Sequence, residues 1–108
     1  MKRRPPPFEI IFAPLTRDHL RAIAAKHYTL IRDAITLHLS HEPDVETRNR
    51  GPLKRPGIFG ATWRLRFGPD NRFRVLYKIN LDLHRVEILA IGEKDGERLM
   101  IGGEEIES

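Results

Sequence analysis

Apolar positions along this chain change period once, and the change divides it in two. Between residues 28 and 39, Leu30, Ile31, Ala34, Ile35 and Leu39 recur at three- and four-residue spacing. That predicts an amphipathic helix over Tyr28–Leu39, with Arg32, Asp33 and Thr36 on its wet side. From Ala61 the period is two: Ala61, Trp63, Leu65 and Phe67 point one way, Thr62, Arg64 and Arg66 the other. Gly68-Pro69-Asp70-Asn71 has the residue types of a tight reversal. The return strand sets Phe73, Val75, Tyr77 and Ile79 against Arg72, Arg74, Leu76 and Lys78. A third strand over Arg85–Ile91 is apolar on both faces, as a central strand would be, and Gly92–Gly96 ends it. Leu99–Gly103 reads as a short edge segment.

Upstream, Phe8–Ala13 is β-branched and aromatic and predicts a strand that Pro14 ends. Thr16 has the chemistry of a helix N-cap, with Leu15 and Leu20 placed for a hydrophobic staple. A first helix over Arg17–Ala25 then buries Leu20, Ile23 and Ala24, and Tyr28–Leu39 continues it, either as a second helix after a break near Lys26-His27 or as one kinked helix. Residues 1–7, with three prolines, are expected to form a disordered lead-in. Val45–Gly60 reads as a loop anchored by Leu53, Ile58 and Phe59. The expected architecture is α+β: two N-terminal helices packed on one face of a small, mostly antiparallel four-stranded sheet, one domain over residues 1–108.

Charge changes this picture in one place. Arg48, Arg50, Lys54, Arg55, Arg64, Arg66, Arg72, Arg74 and Lys78 meet a single acid, Asp70, between residues 48 and 78. Nine positive less one negative is a local +8 in a chain whose total is +4, so the remainder is net acidic. Concentrated basic charge points to a polyanion, most simply nucleic acid. There is no cysteine, which excludes disulfides, thiolate metal sites and a cysteine nucleophile. The apolar run Phe8–Leu15 is broken by Glu9 and Pro14 and is too short for export or membrane insertion, so a cytoplasmic location is expected.

The hairpin holds the candidate chemistry. If Trp63, Leu65, Val75 and Tyr77 face the helices, Arg64, Arg66 and Arg74 share the other face. Like charges opposed across strands cost a few tenths to about 1 kcal/mol per pair. An anion would remove that cost, and the planar fork of arginine suits phosphate. The alternative is that Glu87 and Glu93 on the next strand neutralise them. His38 and His41, near Glu42 and Asp44, share one helix face but lack a third metal ligand. The glycines of Gly57-Ile58-Phe59-Gly60 and Gly102-Gly103 are too sparse for a phosphate-binding loop.

Trp63-Arg64-Leu65-Arg66, then Phe73-Arg74-Val75-Leu76-Tyr77, then Ile88-Leu89-Ala90-Ile91-Gly92, in that order and spacing, resembles the RelE/ParE superfamily of bacterial toxins. The resemblance runs from about Phe8 to Met100. It implies a type II toxin neutralised by a cognate antitoxin. In the RelE branch it further implies metal-independent cleavage of ribosome-bound mRNA, the substrate's own 2′-hydroxyl attacking the adjacent phosphate. By motif, Arg64 and Arg66 match the basic positions of the first hairpin strand, Arg74 the arginine that contacts the scissile phosphate, and Lys94 the basic residue after the last long strand. Arg48, Arg50, Lys54, Arg55, Arg72 and Lys78 are the expected further nucleic-acid contacts, and no cofactor or metal is implied. RelE-type members carry a tyrosine or histidine near the C-terminus, where this chain has Arg98-Leu99-Met100, and Thr62 replaces an upstream lysine. A ParE-like inhibitor of DNA gyrase, or a toxin that only binds its antitoxin, is the competing expectation.

Overall fold

A computed structural model describes residues 5–106. The hairpin forms as its alternation dictates: β3 (Trp63–Phe67) pairs antiparallel with β4 (Phe73–Asn80). The long central strand is β5 (Arg85–Asp95), antiparallel to β4. Strands β1 (Glu9–Phe12) and β6 (Arg98–Ile101) share the other side of β5, β1 running parallel along Arg85–Ile88 and β6 antiparallel along Gly92–Asp95. Edge strands β2 (Arg50–Pro52) and β7 (Glu104–Ile106) complete a seven-stranded sheet ordered β2-β3-β4-β5-β6-β7, with β1 on β5.

The α+β class holds, but the sheet has seven strands where four were expected. The added strands β2 and β7 are three residues each, too short for any period to show. Residues Gly102 and Gly103 join β6 to β7 with φ of +64° and +83°, the two left-handed positions of a type I′ hairpin turn. In β5 a bulge opposite Leu76/Tyr77 turns Leu89 and Ala90 to the same face, so its alternation fails.

The helices divide unequally. The main helix is α2 (Tyr28–Leu39), burying Ile31, Ala34, Ile35 and Leu39. Leu30, at the margin of that stripe, is 40% exposed. The first helix, α1 (Thr16–Arg21), has six residues, ending well short of Ala25, and Ala24 is exposed and extended. The Tyr28 hydroxyl donates to the Leu20 carbonyl at 2.6 Å, a second bond to a carbonyl that also accepts from Ile23 N at 2.9 Å, and so ties α2 to the end of α1. The expected cap is absent: the Thr16 hydroxyl donates to the Ala13 carbonyl at 2.7 Å, and Leu15 is exposed rather than stapled to Leu20. A 3-10 turn at Ala25–His27 supplies the predicted break. Of the expected disordered lead-in, residues 1–4 lie outside the described residues, whereas the Pro6 carbonyl lies 2.8 Å from His84 Nε2.

Two apolar clusters sit on opposite faces of the sheet. The larger lies under α2 and includes Ile31, Ile35, Leu65, Phe73, Tyr77 and Ile88. The smaller, Ala61, Leu76, Leu89, Ala90 and Ile101, is covered by Leu53 and Ile58 of the long loop. Ala61 therefore belongs to the far face, not with Trp63 as the alternation implied, because the strand begins only at Trp63. Arg50 is 8% exposed: its Nε donates to the Val45 carbonyl at 3.0 Å and its Nη1 to the His38 carbonyl. The buried Tyr77 hydroxyl donates to the Pro43 carbonyl at 2.7 Å, and burial raises its pKa. Together these bonds tie the end of α2 and the following loop to the hairpin.

His19 plugs the gap on β5 between β1 and β6. It is 6% exposed, and its Nδ1 accepts from the Ile91 N–H at 3.3 Å, so the ring must be neutral. Burial lowers its pKa below the ordinary 6.5, against a smaller raising effect of Asp18. A lowered value means that the folded state binds fewer protons than the unfolded chain. The stability this contributes is complete above pH 6.5 and lost as pH falls below it. Denaturant midpoints should therefore drop between about pH 7 and pH 5. In His19→Asn, which keeps an acceptor but cannot titrate, the drop should be smaller; an identical pH profile would rule this role out.

Candidate nucleic-acid interface

The apolar face of the hairpin fixes its register, and the register brings the arginines together. Leu65 lies opposite Val75, which sets Arg66 directly opposite Arg74, and Arg64 stands two residues along β3 on the same face. Asn49 holds this segment from the edge: its carbonyl accepts from Arg66 N at 2.8 Å and its Nδ2 donates to the Arg66 carbonyl at 2.8 Å. The Nε atoms of Arg64, Arg66 and Arg74 are all buried with no hydrogen-bond partner among the described residues. Arg66 Nη2 donates to the Arg48 carbonyl at 3.3 Å.

Burial first, then neighbouring arginines, lower the pKa of two members. Arg74 feels Arg64 and Arg66; Arg64 feels Arg66, partly offset by Glu46. A guanidinium starts so far above neutrality that both stay charged. The neutralising partners considered from sequence are used elsewhere: Glu93 binds Arg72 at 2.5 Å, and Glu87 binds Lys78 at 3.5 Å. The opposing charge at the cluster comes instead from Glu46. Arg64 faces Gly51 across β2 and β3. A Cβ there would stand 3.3 Å from Arg64 Nη2 and 3.6 Å from Glu46 Oε2, so glycine leaves these two groups room to approach. Neither Glu46 nor Gly51 carried a sequence signal, since only the strand register relates them to Arg64.

The other predicted residues separate by environment. Lys94 lies two residues past Gly92, the cross-strand partner of Arg74, so it shares the arginine face. It sits at the half-buried end of β5, bordering a depression with Pro69, Asp70, Arg72, Asp95 and Gly96. Arg48, Lys54 and Arg55 are exposed and in no ion pair among the described residues. Arg72 and Lys78 are ion-paired, and Arg72 also lies 5.7 Å over the Phe73 ring. Arg50 is a correction: it was expected to touch nucleic acid, but its buried guanidinium serves the end of α2.

Most proton-transfer groups of the imidazole and phenol kind have other work. Tyr77 and Tyr28 donate to backbone carbonyls, and His19 accepts from β5. His84 stacks on Phe8 at 3.7 Å, and His27 packs at 5.1 Å from the Phe73 ring. The rings of His38 and His41 have no such partner among the described residues; His38 stands in the last turn of α2 and His41 beyond its end, so the two do not share one helix face. The arrangement sets three guanidiniums side by side with the Glu46 carboxylate beside them, a geometry that can take an anion such as phosphate.

Among solved structures, a chain of the toxin–antitoxin complex RelBE2 from Mycobacterium tuberculosis is similar, with a TM-score of 0.64 and 25% identity over 82% of this chain and 99% of that one. No protein-family model matches the sequence, and no curated protein matches it. The likeness gives this chain the fold of a toxin–antitoxin toxin.

Opposed like charges should make the free protein less stable than it could be. Arg74→Gln, which removes one of them, should stabilise the free protein by a few tenths to about 1 kcal/mol in urea titrations at low salt, and less as salt is added. Destabilisation of the same size would mean that Arg74 serves the fold.

Proposed function

We propose that this chain is the toxin of a type II toxin–antitoxin pair, RelE-like, which binds messenger RNA on the ribosome and cleaves it without a metal. The observation that carries the reading is the cluster of Arg64, Arg66 and Arg74, assembled on one face with no carboxylate ion-paired to it among the described residues. The likeness to a chain of a toxin–antitoxin complex supports a toxin role and a cognate antitoxin as partner. This reading places the protein in the cytoplasm.

The chemistry follows from the groups at hand. The 2′-oxygen attacks the neighbouring phosphorus, the bond to the 5′-oxygen breaks, and a cyclic phosphate remains. Negative charge grows on the non-bridging oxygens, where fixed guanidiniums act without reorganising. The 2′-proton passes to Glu46, the carboxylate beside Arg64, and the leaving oxygen takes a proton from water. Lys94, farther along the same face, holds a flanking phosphate. Arg48, Lys54 and Arg55 add sequence-independent backbone contacts, while Arg72 and Lys78 contribute less because their charge is already paired.

A second reading, binding without cleavage as in a gyrase inhibitor or an antitoxin-only relative, is favoured by the commitment of the tyrosines and of His19 and His84 elsewhere. Induced expression followed by primer extension on abundant transcripts separates the two. The parent should produce new in-frame cleavage ends, and Arg74→Ala should lower their yield about 10²–10³-fold, the loss typical of one preorganised oxyanion donor. Absence of cleavage ends, with gyrase-dependent DNA damage in their place, would sink the nuclease reading.

A further inference from the structure

The long loop between β2 and β3 lies on the arginine face, and its apolar residues do two different things. Leu53, Ile58 and Ala61 pack on Leu76 and Ile101. Phe59, expected to be a third anchor, is instead 49% exposed. Its backbone has φ +58°, the left-handed region that a bulky side chain occupies only with strain. The conformation is imposed from both sides: Gly57 N donates to the Ala61 carbonyl at 2.8 Å and Ala61 N to the Ile58 carbonyl at 3.2 Å. The loop's burial is supplied by its neighbours, and the Phe59 ring has one aromatic contact, His19 at 6.1 Å. A strained, half-exposed aromatic that packing does not require is a candidate for function.

Its surroundings say which ligand. Lys54 and Arg55, on the same loop, are exposed and unpaired among the described residues. The surface on which the loop rests adjoins the arginines: Leu76 is two residues from Arg74 along β4, and Ile101 lies opposite Gly92, which itself faces Arg74. An exposed ring on a loop that also carries two free cations, resting on the surface next to a basic cluster, is the combination that holds single strands: charge follows the backbone and the ring takes a base. A duplex keeps its bases stacked on one another and offers no free face to such a ring. We propose that Phe59 is a stacking platform for an unpaired nucleobase of single-stranded RNA whose backbone lies on Arg64, Arg66 and Arg74. The inference rests on the RNA-binding reading above and adds to it the strand state of the ligand and the residue that senses it.

The test uses the full chain and a short fluorescent RNA, offered as a single strand and as a duplex over a series of salt concentrations. The parent should prefer the single strand. Phe59→Gly, which adopts φ +58° without strain, should weaken single-strand binding by about tenfold, the size of one lost base–aromatic stack, at an unchanged or raised Tm. Its salt dependence should match the parent's, whereas Arg74→Ala should flatten the dependence because it removes a phosphate contact. Phe59→Trp should retain binding, and the indole should be quenched by the bound base. If Phe59→Gly binds like the parent while Arg74→Ala does not, the platform is wrong and the RNA reading stands. A Tm lowered by several degrees in Phe59→Gly would show that the ring is held for packing, which also overturns the platform. If the parent binds neither RNA, the reading beneath it fails.

Discussion

A one-residue slip between β3 and β4 would turn every side chain of the hairpin to the opposite face. The pairing of Leu65 with Val75 and of Phe67 with Phe73 forbids that slip, because these residues are buried under α2. The apolar face therefore decides more than the core. Once it is satisfied, Arg66 has no choice but to face Arg74, and Arg64 must stand beside them. A basic cluster that electrostatics alone would disperse is held in place by hydrophobic burial, each large apolar side chain contributing about 1.5–3 kcal/mol against a repulsion of at most about 1 kcal/mol per opposed pair.

The same accounting explains why this chain's cations do not behave alike. Arg50 lies in the basic stretch and counts toward its charge, yet its guanidinium is spent on carbonyls at the end of α2 and in the adjoining loop. A helix C-terminus is the negative end of the dipole and leaves carbonyls without intrahelical partners, so a buried arginine there is compensated. Arg72 and Lys78 each sit beside a glutamate of β5. What remains free is the group whose partners the register withholds: the residues opposite Arg64 and opposite Arg74 on the strands that flank the hairpin are glycines, Gly51 on β2 and Gly92 on β5. At Gly92 no side chain fits, since a Cβ would stand 2.8 Å from Ile101 and 2.9 Å from the Met100 carbonyl.

How much could be read beforehand follows from the length scale of each signal. The helix Tyr28–Leu39 and the hairpin are long enough for their periods to show, and both stand where the pattern put them. Strand β2 is Arg-Gly-Pro, and β7 is Glu-Glu-Ile; neither has a period, and both exist because a partner strand supplies hydrogen bonds. The bulge at Leu89 exists only in relation to β4. Phe59 looked like an anchor because hydrophobicity was the only property on view; its positive φ is imposed by backbone bonds between Gly57 and Ala61. Of the site, the arginines were legible because alternation is local. Glu46, five residues from Gly51 but brought to Arg64 by strand pairing, was not.

Several of the features that cost stability meet on the arginine face, although His27 Nε2, buried and unpartnered among the described residues, and the left-handed backbone of His84 do not. Opposed guanidiniums, their unpartnered Nε atoms and the left-handed phenylalanine all concern one face of the sheet, while α2 and the larger cluster occupy the other. Strain of this kind persists only where surrounding structure over-determines it. Here the over-determination has three sources: the register of β3 and β4, Asn49 gripping the backbone of Arg66, and the small cluster that pins the loop at Leu53, Ile58 and Ala61. A chain selected for stability alone could relieve each cost with a single substitution, a glutamine for an arginine or a glycine for Phe59. That several costs meet where the strand register, Asn49 and the small cluster bear them is the physical reason to read the arginine face as the working surface.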